Sequence, residues 1–187
     1  MPYTAEHKEA TRRRILESAR RLFNDRGFAQ VSIDEVMDQA GLTRGGFYRH
    51  FRDKAQLYAE AVRWFLCPEA PKPWQDCSRR KRQAERVVDA YFSRDHFSDR
   101  ESCCPLLTTP ADILDGDAEV RSAYGAVLKR LVAIFEADLG DRDEALALAA
   151  LCIGGMVLAR NVEGPLAQAM RGAAYRRAQN MLKARPC

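Results

Sequence analysis

Apolar residues recur at helical spacing along most of the chain, and the first such pattern predicts a helix over residues 8–26. Its buried stripe falls at positions i, i+1, i+4, i+7 and i+8: Ile15, Leu16, Ala19, Leu22 and Phe23. Gly27 is expected to end this helix, because glycine adopts the left-handed conformation of a helix C-terminus without strain. The opposite face carries Arg12, Arg13, Arg14, Arg20 and Arg21. Such a run is usually a solvated surface, but its nearness to the next motif favours phosphate contact.

Two short helices joined by a tight turn are predicted next. Ser32 and Glu35 have the spacing of a capping box, so the first of these helices begins at Ser32. Gly41 is expected to end it, and Thr43 can cap the second helix. The two helices together have the form of a helix-turn-helix.

The second of these helices is predicted to have one apolar and one polar side. Phe47 and Phe51 lie four residues apart and are expected to point into the core. The outer side is basic and aromatic, and it consists of Arg44, Gly45, Gly46, Tyr48, Arg49 and His50. A face of this kind is typical of a helix that enters a DNA groove.

The rest of the chain is also predicted to be helical, with a break at a group of prolines. Asp53 and Gln56 resemble a second capping box, which would open a helix over residues 54–67. Three prolines in residues 68–74 predict a linker. Amphipathic patterns then predict a helix that runs to about His96 and further helices over 105–114 and 117–139.

The last two helices are unusually apolar. Residues 145–159 are apolar on every side and rich in Ala and Gly, which predicts a helix buried all round. Residues 166–184 carry one apolar stripe, with arginines elsewhere. A monomer of this size can hardly cover both surfaces, so we expect a homodimer in which each subunit contributes these two helices to a bundle.

Composition supports an all-α fold and a cytoplasmic location. Hydrophobic residues make up 47% of the 187 residues, and no alternating or β-branched run is long enough to predict a strand. The net charge of +4 permits a polyanionic partner without requiring one. No signal peptide is visible, and the run over 145–159 is too short to span a bilayer. The six cysteines are therefore expected to be thiols.

Residues 11–58 resemble the DNA-binding domain of the tetracycline-repressor (TetR) family of bacterial transcription regulators. The resemblance is carried by TRRRILESARRLFNDRGF and by SIDEVMDQAGLTRGGFYRHFRDKAQLY. It implies an N-terminal three-helix domain with the helix-turn-helix and a larger helical effector-binding and dimerisation domain. The expected boundaries are 1–53 and 54–187, with the helix over 54–67 connecting the two. It also implies a homodimeric repressor that binds a palindromic operator on double-stranded DNA and is released by an effector.

Roles at the DNA follow from the chemistry of the side chains. Arg44 is the candidate for base readout, because its planar guanidinium matches the two acceptors of guanine. Gly45 and Gly46 weaken a helix, and close approach to DNA would compensate. The predicted DNA-binding residues are Ser32, Thr43, Arg44, Gly45, Gly46, Tyr48, Arg49, His50 and Lys54. Ser32 and Lys54 are placed in this set by the resemblance as well, and Lys54 lies in the first turn of a helix, where an anion is favoured.

The effector is harder to predict. Cys103 and Cys104 precede Pro105, and a thiol at a helix start can have a lowered pKa and react with electrophiles or oxidants. Two small buried hydrophobic side chains are the alternative interpretation. The tentative pocket residues are Trp64, Phe65, Trp74, Phe92, Cys103, Cys104, Tyr124 and Met156.

Two other functions use the same cysteines. A thiol-dependent enzyme would have Cys104 as nucleophile and His96 as base, and a metal sensor would use His96, Cys103 and Cys104. Neither is favoured, because no catalytic motif or fourth metal ligand is visible in the sequence. We therefore predict no enzyme, metal or cofactor.

Overall fold

The computed structural model describes residues 4–67, 82–101, 103–107 and 118–184. Within these residues it contains only helices, which confirms the all-α prediction. The α-helices are α1 (Ala5–Gln30), α2 (Ile33–Gln39), α3 (Lys54–Trp64), α4 (Gln83–Tyr91), α5 (Arg94–Ser98), α6 (Ala118–Leu139), α7 (Arg142–Arg160) and α8 (Gly164–Lys183). Two 3-10 helices complete them, η1 (Arg44–Arg49) and η2 (Pro105–Leu107).

The chain forms two compact units. The first comprises Met1–Pro68 and Arg100–Ala126, and the second comprises Glu69–Asp99 and Val127–Cys187. The first unit thus extends beyond the expected boundary at residue 53, since it contains α3 and a later segment of the chain.

The core of the first unit forms where α1 packs against α2 and α3. Ile15 and Phe23 of α1 are fully buried, as the stripe predicts. The ring of Phe23 meets that of Tyr58 edge-on, with 4.9 Å between centroids. Gly27 interrupts α1 with a φ of 80° and a ψ of 170°, so the chain leaves the helical path at the predicted glycine.

The prediction for the second helix of the helix-turn-helix is corrected in two details. The segment Arg44–Arg49 is a 3-10 helix, and the side chain of Thr43 makes no capping hydrogen bond at its start. Two glycines in the first turn explain the lack of a regular α-helix, because they lose more backbone entropy than other residues do. Phe47 and Phe51 are nonetheless buried, as predicted.

The capping of α3 also differs from the prediction. The Asp53 carboxylate accepts a hydrogen bond from the Gln56 N–H, at 2.8 Å. The Gln56 side chain, however, accepts from the N–H of Arg52 rather than from that of Asp53, at 2.7 Å. Asp53 is therefore an ordinary N-cap and not half of a reciprocal capping box.

The second unit shows that the predicted helix up to His96 is two helices. Phe92 is the C-cap of the first, and Ser93 caps the second, because the Ser93 hydroxyl accepts from the His96 N–H at 3.1 Å. α7 and α8 pack closely, and a Cβ added at Gly155 would lie 2.7 Å from the Cβ of Ala174.

Residues 145–159 are not buried all round within the single chain, so the predicted burial would require the second subunit. Leu146 and Leu158 of α7 are 45% and 54% exposed, and Leu166 of α8 is 57% exposed. Leu148, Cys152 and Met156 occupy the opposite, buried side of α7. An apolar surface of α7 and α8 is thus left uncovered in the single chain.

Some predictions fall on residues that the structure does not describe. These are the linker over 68–74, the basic residues 79–81 and most of the helix predicted over 105–114, of which Pro105–Leu107 is described as η2. No described helix combines the length and the apolar character needed to cross a membrane.

Candidate nucleic-acid interface

The outer side of η1 presents polar and aromatic groups to solvent. Arg44 exposes 63% of its side chain, and Tyr48 is 61% exposed. Thr43 and Arg49 are exposed as well. Below this surface Phe47 holds Tyr48 in place, since the two rings meet edge-on with their centroids 5.2 Å apart. A large exposed aromatic ring on a surface that also carries arginines suits contact with a sugar-phosphate backbone.

The two glycines of η1 are not explained by crowding inside the protein. A Cβ added at Gly45 would meet no atom within 4 Å, and one at Gly46 would make only ordinary contact with Met37, at 3.6 Å. Neither glycine has a positive φ. What the absence of a side chain leaves open at Gly45 is space on the outer surface.

An open cleft brings the start of α1 next to η1. It is lined by Lys8, Thr11, Met37, Leu42, Thr43, Gly45, Gly46, Arg49 and His50. Lys8 is a cation that the sequence analysis did not place at this site. The signal available in the sequence was its position in the first turns of α1, but only the packing of α1 on η1 reveals the proximity.

Three arginines of α1 donate hydrogen bonds to main-chain oxygens of other segments. Arg12 donates to the main-chain oxygen of His50 at 3.3 Å, forms an ion pair with Glu60, and lies 4.2 Å from the centre of the Phe51 ring. Arg14 donates to the main-chain oxygen of Ala40 at 2.5 Å, next to the turn between α2 and η1. These contacts fix the helix-turn-helix on α1.

Arg20 also donates to the main chain, in its case to Glu101 at 3.2 Å. The sequence indicated only solvent exposure or phosphate contact for these arginines. Arg12, Arg14 and Arg20 instead share a structural role, because each donates to a main-chain oxygen of another segment.

Ser32 and Glu35 form the predicted capping box at the start of α2. The Ser32 N–H donates to the Glu35 carboxylate at 2.8 Å, and the Ser32 hydroxyl accepts from the Glu35 N–H at 3.2 Å. The Ser32 N–H and hydroxyl, followed by Arg26, lower the pKa of Glu35 to about 2. Glu35 is thus ionised at physiological pH, and the box holds the start of α2 in place.

Lys54 lies in the first turn of α3, as predicted, but its ammonium group faces an aromatic ring. The nitrogen is 4.2 Å from the centre of the Phe28 ring. The role of Lys54 in phosphate binding remains a prediction. It requires the ammonium either to contact the Phe28 ring and a phosphate at the same time or to leave the ring when it binds a phosphate.

His50 lies at the edge of the cleft in a partly buried position. Partial burial, followed by the charges of Lys8, Arg12 and Arg49, lowers its pKa below the ordinary value. Its Nδ1 is buried and has no hydrogen-bond partner within the described residues. Two of these cations, Lys8 and Arg49, line the cleft together with His50.

The candidate effector residues of the first unit lie partly around η2. Cys103 and Cys104 are buried, and Asn24 of α1 donates to the main-chain oxygen of Cys103 at 3.1 Å. The Tyr124 hydroxyl donates to the Leu106 oxygen at 3.4 Å. Burial, and then the nearby Cys104, raises the pKa of Tyr124. The structure thus brings Cys104 and Tyr124 together and ties the cysteine segment to α1.

The other candidates are distributed over both units. Trp64 and Phe65, at the end of α3 in the first unit, are half-buried, and the Arg13 guanidinium is 6.0 Å from the centre of the Trp64 ring. Phe92 and Met156 are buried in the second unit. Trp74 lies outside the described residues.

The amino-terminal part of the first unit is similar to known proteins. Residues 15–61 match the family model described as bacterial regulatory proteins, tetR family. The transcriptional regulator AcrR of Shigella flexneri is 42% identical over 57 residues, which are 30% of this chain and 26% of AcrR. The match thus spans only about a quarter of the length of this curated relative.

Solved structures resemble the chain over most of its length. A TetR-family regulator from Cytophaga hutchinsonii has a TM-score of 0.72 at 21% identity and covers 94% of each chain. NemR of E. coli, in its reduced form, has a TM-score of 0.69 at 19% identity, covering 91% of this chain and 96% of NemR. These likenesses establish the fold alone.

The comparisons also bear on the two alternative functions. The matched family consists of regulatory proteins and not of enzymes, so the thiol-dependent enzyme finds no support. Within the residues that the structure describes, no three His, Cys, Asp or Glu side chains form a group that could hold a metal ion.

Proposed function

We propose that this chain is a repressor of the TetR family, whose model its residues 15–61 match, and that it binds a palindromic operator as a homodimer. One observation carries the proposal. Phe47 and Phe51 are buried beneath η1, while Thr43, Arg44 and Tyr48 point outward. Such a division gives the element a packed inner side and a free outer side that fits a major groove.

The residues of this surface have different roles. Arg44 contacts a base edge, because an arginine can donate two parallel hydrogen bonds to guanine. Thr43, Tyr48, Arg49 and His50 contact phosphates and sugars, as do Ser32 and Lys54 at two helix starts. Gly45 and Gly46 let the backbone come close to the DNA. Lys8 joins the phosphate contacts from the other wall of the cleft.

The direct test is selection from duplexes with a randomised centre, using the purified full chain. The proposal expects one enriched motif with two half-sites related by two-fold symmetry. Enrichment of a single asymmetric motif would contradict the homodimer on a palindrome. Lack of any enrichment, with binding that depends only on salt, would contradict sequence-specific regulation altogether.

We infer the homodimer from the exposed leucines of α7 and α8. A patch with Leu146, Leu158 and Leu166 at its surface is costly to leave in water, and a second copy of the same helices would cover it in an isologous bundle. Leu158→Glu should convert the dimer to a monomer, because it buries a carboxylate in that contact. Light scattering at micromolar concentration checks this. A wild-type chain that is already monomeric would exclude the proposal.

Control of DNA binding is proposed to involve either a small-molecule effector or the thiol of Cys104. The nearness of Cys104 to Tyr124, and the bond from Asn24 to the Cys103 segment, support the thiol version, because modification would disturb a segment held on α1. The neighbour NemR is known in a form described as reduced. Cys104→Ser should keep DNA binding but lose release by maleimides or hypochlorite. Full release of the Cys104→Ser variant would leave the small-molecule version.

A further inference from the structure

An ion pair connects the two elements of the helix-turn-helix on their exposed side. Nη1 of Arg44, the first residue of η1, donates to Oδ2 of Asp34 in the first turn of α2, at 2.6 Å. Both side chains are largely exposed. The contact therefore joins the proposed base-reading residue to the neighbouring helix and not to the core.

Capping of α2 does not explain why Asp34 stands there. The Ser32 hydroxyl accepts from the Glu35 N–H and the Glu35 carboxylate accepts from the Ser32 N–H, so the capping box does not use the Asp34 side chain. Exposed ion pairs also add little to the stability of a folded protein. A carboxylate in the first turn of a helix gains a little from the helix dipole, but on a DNA-binding surface it is repelled by phosphates, so its presence there indicates a further benefit.

That benefit is the orientation of the Arg44 guanidinium. A guanidinium carries five N–H donors in one plane, and the bond to Asp34 uses one nitrogen. The other donors of Arg44 make no hydrogen bond within the residues that the structure describes. Recognition of guanine requires two donors of this plane to meet O6 and N7 together, which a side chain held at one end achieves at a smaller loss of conformational entropy.

Arg49 provides the contrast on the same element. It is the last residue of η1 and is exposed. No carboxylate lies within ion-pair distance of it among the described residues. A flexible cation of this kind suits a phosphate, which accepts hydrogen bonds from many directions. The two arginines of η1 are thus prepared for different tasks.

We propose that Asp34 is a positioning residue that holds Arg44 for recognition of a guanine in each half-site. The inference rests on the proposed DNA-binding function and adds a specificity determinant to it. Asp34 itself contacts no base in this arrangement; it acts through Arg44. Its removal should change which sequence is bound more than how tightly DNA in general is bound.

The test compares Asp34→Ala, Asp34→Asn and Arg44→Ala as full-length proteins. Each is titrated with the duplex selected by the wild-type chain and with duplexes in which each guanine of the half-site is replaced in turn. Glu136→Ala is the matched control, because it removes a carboxylate from another exposed arginine pair, Arg142–Glu136, in the second unit. Circular dichroism of each variant confirms that it is folded.

The expected results separate positioning from simple charge. Arg44→Ala should lower the preference for one guanine about 5- to 100-fold. Asp34→Ala should lower the preference for that same guanine about 2- to 10-fold, the cost of immobilising a long side chain. Asp34→Asn keeps an oxygen acceptor and should retain more of the preference, while binding all duplexes more tightly through the loss of a negative charge. Combining Asp34→Ala with Arg44→Ala should reduce the preference no further than Arg44→Ala alone.

Two outcomes would overturn the proposal. In the first, Asp34→Ala binds every duplex more tightly by one common factor and keeps the wild-type preference, so Asp34 is only a repelling charge. In the second, Asp34→Ala lowers the preference further in the absence of Arg44, so it acts independently. The proposed function fails separately, because in that case the wild-type chain itself shows no preference among duplexes.

Discussion

Burial keeps the imidazole of His96 in its neutral form. The residue is only 6% exposed, its ring lies 5.1 Å from that of Tyr91, and Arg160 donates to its main-chain oxygen. Burial, followed by the charge of Arg160, lowers the pKa of His96 from 6.5 to about 4. The unfolded chain therefore takes up a proton at this residue at a higher pH than the folded chain does.

Stability should depend on pH in a window set by this difference. Because the pKa is lowered on folding, the stabilisation is fully present above pH 6.5 and is lost as pH falls towards 4. The free energy of unfolding should fall by about 1.4 kcal/mol per pH unit in this window. Urea unfolding of wild type and His96→Gln measures it, and the variant should show a flatter dependence. His7→Gln, at an exposed histidine, is the control; equal slopes in wild type and His96→Gln would exclude the effect.

The ammonium of Lys54 has two potential uses that salt can separate. If Lys54 contacts a phosphate, Lys54→Ala should weaken all duplexes alike and reduce the slope of log K against log salt by about one for each site. If it serves only the Phe28 ring, the variant should lower the melting temperature and leave the slope unchanged. Lys183→Ala removes the same charge at the end of α8 and is the control for both measurements.

The element η1 is a short 3-10 helix of low intrinsic stability whose outer surface has free space at Gly45. Gly45→Ala adds a methyl group where no protein atom lies within 4 Å and φ is not positive. The free energy of unfolding should stay the same or rise by about 0.4–1 kcal/mol, because the unfolded chain loses entropy. DNA affinity should fall, since the methyl group occupies the space that the backbone of the bound DNA approaches.

The control for this variant is Gly125→Ala in α6. A Cβ at Gly125 also meets no atom within 4 Å, so its effect on stability should be similar. Its DNA affinity should equal that of wild type. Equal affinity of Gly45→Ala and Gly125→Ala would show that Gly45 does not lie against DNA.

The contact between α7 and α8 allows a second pair of variants at adjacent glycines. A methyl group at Gly155 would lie 2.7 Å from the Cβ of Ala174 and 3.6 Å from the Phe92 ring, whereas one at Gly154 would meet nothing within 4 Å. Gly155→Ala should therefore lower the free energy of unfolding by about 1–3 kcal/mol. Gly154→Ala should not lower it. Thermal unfolding of the two variants measures this difference in stability. A Gly155→Ala protein as stable as wild type would contradict this packing.

In the molecule as a whole, the sequence predicted burial wherever a strong local pattern was present. It did not predict which distant segments come into contact. The stripe through Ile15 and Phe23 and the pair Phe47 and Phe51 repeat at helical spacing, so their burial follows from periodicity. The break at Ser93 was missed, because one serine inside an apolar pattern is a weak signal until its hydroxyl is seen to cap α5.

The candidate site was predictable only in part for the same reason. The outer residues of η1 follow from the helix-turn-helix, but Lys8 and Asp34 come from neighbouring helices and need the tertiary structure. Likewise, Leu146 and Leu158 lie on an apolar helix, and its pattern cannot tell a buried side from a side that awaits a second subunit.

The proposed function depends on whether the outer face of η1 reads DNA sequence through Arg44. The most direct measurement is the affinity of wild type and Arg44→Ala for the selected duplex and for a duplex in which each half-site guanine is replaced. Wild type should prefer the selected duplex by about 1–3 kcal/mol per half-site, and Arg44→Ala should lose this preference at one guanine. A folded Arg44→Ala protein that keeps the full wild-type preference at every guanine would contradict it.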